Sequence, residues 1–160
     1  MNIPEGYAQA PTGDDHRVKL AVPVPGRDEP ILIDAPKIAW MTPKEHLAVR
    51  KFADEVIAAE QVVDKWHEVN DALPEEERAD YPEDEAKRIG RAKDGEGDRD
   101  KQFSILRELK LRWLKAHISA ADYRTLTTSK EISEGTISWI MDQLKSSDVS
   151  LGESAASSSS

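Results

Sequence analysis

The chain has no cysteine, which excludes disulfides and thiolate metal ligands and suits a reducing compartment. No apolar run approaches the roughly 20 residues needed to span a bilayer. The opening Met1-Asn2-Ile3-Pro4-Glu5 lacks the basic-then-apolar layout of a signal peptide, so the chain is expected to stay where it is made. Basic charge is scarce: 22 Lys and Arg stand against 31 Asp and Glu, a formal net charge of -9. That balance repels phosphate backbones and anionic lipid surfaces, and keeps a protein soluble while it holds something sticky. Aromatics are 6% and hydrophobic residues 38% of the 160 residues. The latter lies below the usual apolar share of about 45–50% (a figure that also counts Gly). A modest core with sizeable disordered stretches is expected.

What is present divides the chain. Residues 1–16 hold Pro4, Gly6, Pro11 and Gly13 with little to bury, and predict a mobile arm. Val18, Leu20, Val22 and Val24 alternate, placing four aliphatic side chains on one face of a strand that Pro23 and Pro25 confine to an edge. Gly26-Arg27-Asp28-Glu29 reads as a turn and Ile31-Leu32-Ile33 as the returning strand, a hairpin within 17–40. Thr42-Pro43 marks a helix start, a capping hydroxyl followed by proline at the first helical position. From there Val49, Phe52, Val56, Ala59, Val63, Trp66, Asn70 and Leu73 recur at threes and fours, and Asn70 alone interrupts the seam. Pro74 ends this helix.

Residues 74–100 carry eleven acids and six bases with almost nothing to bury, and Gly90, Gly95 and Gly97 loosen the second half. A solvated, partly disordered linker is expected there, with a helical turn near Asp84 to Ile89. A second helical half begins near Asp100. Phe103, Leu106, Leu109 and Trp113 form a stripe that Leu111, Leu114 and Ile118 widen. Ser119 and Asp122 have capping-box spacing, and Ile118 and Tyr123 that of a hydrophobic staple. A short helix to about Thr127 follows, then a last one from roughly Ser133 to Ser146 burying Ile137, Ile140, Met141 and Leu144. The Ser-rich end, 148–160, predicts a disordered tail after a domain of 17–147. The fold class is thus mainly α, a helical domain with an N-terminal β-hairpin and disordered termini.

Chemistry-bearing patterns are missing. His16, His46, His67 and His117 are not paired at ligand spacing, and His67-Glu68 point to different helix faces. Glu75, Glu76, Glu77, Glu83, Asp84 and Glu85 lack the spacing of a calcium loop and the apolar setting that would raise a carboxyl pKa. There is no glycine-rich phosphate loop and no nucleophile elbow. No catalytic residue, metal or cofactor is assigned. Residues 119–144 do have helix-turn-helix order, around Ser129-Lys130-Glu131-Ile132. A recognition helix there would offer Glu131, Glu134 and Asp142 against Lys130 and Lys145, poor chemistry for DNA. The residues with the shape of partner anchors are Phe52, Trp66, Trp113, Trp139 and Ile140, since aromatics concentrate at interface hot spots. Core packing is the alternative role for the tryptophans.

The stretch Ser150-Leu151-Gly152-Glu153-Ser154-Ala155-Ala156-Ser157-Ser158 resembles the end of the short product of tail assembly chaperone genes in long-tailed phages of actinobacteria. Val22-Pro23-Val24-Pro25-Gly26, with Glu29-Pro30-Ile31-Leu32-Ile33 and Pro36-Lys37, resembles that family's N-terminal hairpin, and Ser133 to Leu144 its final helix. Together these pieces cover about a third of the chain; the acidic segment has no counterpart. The resemblance implies a protein of the host cytoplasm that coats the tape measure protein, keeps it soluble for tail tube polymerisation, and leaves before the virion is complete. It implies the tail tube protein as a further partner. It also implies a longer form of this chain, made by ribosomal frameshifting near Gly152 and Glu153, whose codons permit a slippery purine run. Neither nucleic acid nor membrane is an expected partner. The rival readings are a small helical DNA-binding regulator using 119–144 and a minor virion structural protein.

Overall fold

A computed structural model describes residues 2–146. The aliphatic alternation builds β1 (Arg17–Val22), which pairs antiparallel with β2 (Ile31–Pro36), Val22 opposite Ile31 and Arg17 opposite Pro36. Val18, Leu20, Val22 and Val24 are all buried on one face, as are Ile31, Ile33 and Ala35 opposite them. Pro23 ends the ladder. The tight turn comes two residues earlier than expected, at Val24-Pro25-Gly26-Arg27. The Arg27 N–H donates to the Val24 carbonyl at 3.0 Å, and Gly26 takes φ 84° at the position where a type II turn requires it.

Among the described residues five α-helices follow: α1 (Pro43–Asn70), α2 (Glu83–Arg88), α3 (Arg99–Leu111), α4 (Ala120–Thr128) and α5 (Glu134–Lys145). The result is a mainly helical domain, 55% helical, carrying an N-terminal two-stranded hairpin. Thr42 caps α1 as the sequence predicts, and Glu45 completes a capping box by accepting from the Thr42 N–H at 2.8 Å. Ser119 accepts from the Asp122 N–H at the start of α4. The Asp122 carboxylate, instead of reaching back, pairs with Arg27 of the hairpin turn at 3.5 Å.

Among the described residues, two apolar clusters hold the domain. One joins the hairpin to Leu111, Leu114 and the inner faces of α4 and α5. The other joins Val56, Ala59 and Val63 of α1 to Ala86, Ile89 and Ile105. Helix α3 serves both, giving Ile105 to one and Leu111 to the other. Its stripe is rotated from the expected one: Leu106 is exposed, while Ile105 and Arg107 are buried.

The acidic segment 74–100 folds back on α1 instead of being solvated throughout. Ala86 and Ile89 are buried against α1, and Tyr81 packs edge-on against Trp66 with ring centroids 5.0 Å apart. The glycines tighten this segment rather than loosen it. Gly90 and Gly97 both take positive φ, and a methyl on Gly97 would overlap the Gly90 carbonyl oxygen. That oxygen accepts from the Asp98 N–H and the Gln102 side chain, closing the loop onto α3. The arm is also anchored at its end: His16 stacks on Trp40 at 3.8 Å, and the Lys37 N–H donates to the His16 carbonyl.

Candidate partner-binding surface

Capping at the start of α1 sets up an apolar groove. Glu45 uses one carboxylate oxygen for the Thr42 cap; the other accepts from His117 Nε2 at 2.6 Å, across 72 residues of sequence. This pair fixes the first turns of α1 beside the Arg112–Ala116 turn that follows α3. Burial acts to raise the Glu45 pKa, but the hydrogen bonds from Thr42 and His117 outweigh it and hold the carboxyl below its ordinary value. Between the two elements lies a groove of about 580 Å³. Its apolar lining is Met41, Ala48, Val49, Trp113 and Ala116, and its charged lining is Lys44, Arg112 and Lys115 with the paired Glu45. Trp113 is half-buried, its inner side on the first cluster and its edge against His46 at 5.0 Å between centroids. Arg112 is committed: it pairs with Glu108 at 2.9 Å and covers the Phe52 ring at 4.1 Å. Lys44 and Lys115 are exposed. On a chain with net charge -9, an apolar lining beside two exposed ammonium groups selects an apolar segment flanked by acids.

A second apolar surface lies on the hairpin. Trp139 is 44% exposed on α5, and it shares a groove of about 480 Å³ with Ala21 and Pro23. Ala21 stands opposite the exposed Leu32 in the strand register, so aliphatic surface continues across the outer sheet face.

The five anchors expected from sequence therefore separate. Trp113 and Trp139 offer ring surface to a partner. Trp66 does not: it is buried, and its indole N–H donates to the Ala79 carbonyl at 3.1 Å. Ile140 is buried in the first cluster, and Phe52 lies half-buried beneath Arg112. Gly152 and Glu153 lie outside the described residues. Asn70, the apparent flaw in the α1 seam, is buried and donates to the Trp66 carbonyl while accepting from the Ala79 N–H at 2.9 Å. It pins the returning acidic segment to the end of α1.

Arg107 is the residue that sequence reading missed. It is 3% exposed, and its guanidinium donates to the carbonyls of Leu126, Ser129 and Ile132 and to Glu134 at 3.0 Å. One side chain thus satisfies the connection between α4 and α5. The available signal was its place midway between Phe103 and Leu111, four residues from each. The helix-turn-helix order of α4 and α5 does exist, but the exposed side of α5 presents Glu134, Ser138, Trp139, Asp142 and Lys145. That is a weak complement to a phosphate backbone. Among the described residues, no three His, Asp or Glu side chains converge to hold a metal, and no helix is long and apolar enough to cross a membrane. Comparisons with protein-family models, curated proteins and solved structures find no match to this chain.

Proposed function

We propose that this chain is a binding protein for an amphipathic helix, acting as the short form of a phage tail assembly chaperone whose client is the tape measure protein. The observation that carries the reading is the Trp113 groove, an apolar trough with two exposed lysines on an otherwise acidic molecule. A helix laid there would bury aliphatic side chains against Met41, Val49 and Trp113, and set its flanking acids toward Lys44 and Lys115. The identity of the client rests on the resemblance at Leu151-Gly152-Glu153-Ser154 and at the hairpin. Tail tube protein joins the complex through the longer frameshifted form, and the chaperone departs from the host cytoplasm assembly before the virion is finished.

Co-expression tests this directly. The tape measure protein of the same genome should become more soluble with the wild-type chain, because covering apolar helices suppresses association. A Lys44→Glu, Lys115→Glu double variant, which leaves the core untouched, should lose that effect while melting like wild type. If wild type gives no gain in soluble tape measure, the client is wrong; if the double variant works equally well, the groove is wrong. The regulator reading predicts salt-sensitive binding to duplex DNA, and the virion-component reading predicts the chain in purified particles. Synonymous recoding of Gly152 and Glu153 should abolish a minor longer product detected with an antibody to the N-terminal region. Persistence of that band would remove frameshifting at this place.

A further inference from the structure

Helix α1 has a second face, turned away from the core. Leu47, Ala58, Val62 and Val69 fall within about 60° of arc at roughly 100° per residue, opposite Val56 and Val63. Leu47 is 62% and Val69 53% exposed. A shallow trough of about 380 Å³ runs along this face between Leu47 and Ala58. Both signs of charge lie along it: Arg50, Lys51, Asp54 and Glu55 beside the trough, and Lys65 and Glu68 further on. Among the described residues, no ion pair engages Lys51, Asp54, Lys65 or Glu68.

We propose that the outer face of α1 binds a second copy of this chain, the two helices packed antiparallel about a two-fold axis level with Ala59 and Glu60. Antiparallel packing opposes the two helix dipoles and can set unlike charges of the two copies against each other. In the register that places Lys51 opposite Glu68 of the second copy, Asp54 falls opposite Lys65 of the second copy. The twofold repeats both pairs. The same register brings Ala58 within one residue of Val62 of the second copy, and Leu47 within a helical turn of Val69 of the second copy. A parallel arrangement would instead stack bases on bases and acids on acids. Because the outer face of α1 is separate from the apolar lining around Trp113, the dimer leaves the groove open, and each dimer presents two grooves to one long client.

Sedimentation velocity on the full chain from about 1 to 300 μM should show a monomer passing to a dimer. Lys51→Glu and Glu68→Lys should each weaken association by roughly tenfold or more, since each sets like charges in contact. The combined charge swap should restore it to within about threefold of wild type. Circular dichroism melts should show all three variants folded as wild type. A monomer at every concentration overturns the proposal, as does a double variant no better than the single ones. A monomeric chain that still solubilises its client would leave the groove reading intact, so the two failures are distinguishable.

Discussion

Arg107 is a buried cation whose cost of desolvation is met by geometry: three backbone carbonyls and one carboxylate converge on its planar donors. Arg107→Met keeps much of the apolar stem but leaves the carbonyls of Leu126, Ser129 and Ile132 without that donor. It should cost about 3–5 kcal/mol in urea unfolding. Arg107→Lys should recover less than half of that loss, because one ammonium cannot span the same fork. A lysine variant as stable as wild type would mean that charge, not the fork, holds the turn. The partner carboxylate adds a pH dependence. Hydrogen bonding to Arg107 holds Glu134 below its ordinary 4.5, against the opposing effect of burial. In the acid range the unfolded chain then binds more protons than the folded one. The resulting stability is present above the ordinary carboxylate range and is lost as pH falls through the lowered folded value. Glu134→Gln should therefore flatten the fall in urea midpoint between about pH 5 and pH 3, relative to wild type. An unchanged slope would assign the acid sensitivity to other groups, Glu45 first among them.

At the scale of elements, α1 shows why a polar residue can be the better choice on an apolar seam. Asn70 bonds the Trp66 carbonyl and the Ala79 N–H, and Arg78 donates to the Leu73 and Asp71 carbonyls beyond the helix end. These bonds turn the chain back so that Ala86 and Ile89 can cover Val63 and Ala59. Asn70→Leu would perfect the sequence pattern and should nonetheless destabilise the protein by about 1–3 kcal/mol, because the Ala79 N–H loses its acceptor. The same variant should speed amide exchange across α2. If Asn70→Leu raises the melting temperature, the seam outweighs the pin. The contrast between tryptophans belongs here as well. Trp139→Ala should change stability by less than about 0.5 kcal/mol, being a surface substitution. Trp66→Ala should cost about 3–5 kcal/mol, the range for truncating a buried ring.

At the scale of the molecule, two clusters meet on one helix. Ile105 and Leu111 lie less than two turns apart on α3, one in each cluster. The Glu45–His117 pair and the stacking of Arg112 on Phe52 add further ties between α1 and the second half. Opening either cluster strips one side of α3, so the two should melt as one unit rather than as independent domains. Trp66 reports on the second cluster and Trp113 on the first. Variants keeping one of these two tryptophans, with the other three replaced by Phe, should each give an internally consistent midpoint by fluorescence and by circular dichroism. Non-coincident transitions, with the Trp66 probe moving first, would show that α1 and α2 form a separable unit.

Local rules were enough to determine the elements: alternation made the hairpin, Thr42-Pro43 opened α1, and hydroxyl caps opened α4 and α5. Each of these depends on residues within a few positions of one another, so the amino-acid order alone decides them. The fate of the acidic segment was not legible, because composition reports average polarity. Two well-placed apolar residues, Ala86 and Ile89, suffice to fold it once Asn70 and Arg78 reverse the chain. The rotation of the α3 stripe was hidden for a similar reason. Arg107 counts as polar in any periodicity, yet its burial is set by carbonyls that only the α4–α5 connection supplies. The candidate site divides along the same line. Aromatic candidates were visible as residue types on apolar faces, but which ring stays uncovered is a property of packing. Trp66 closes under Tyr81, whereas Trp113 keeps an edge in the groove that the Glu45–His117 bond creates across 72 residues, a separation beyond the reach of any local pattern.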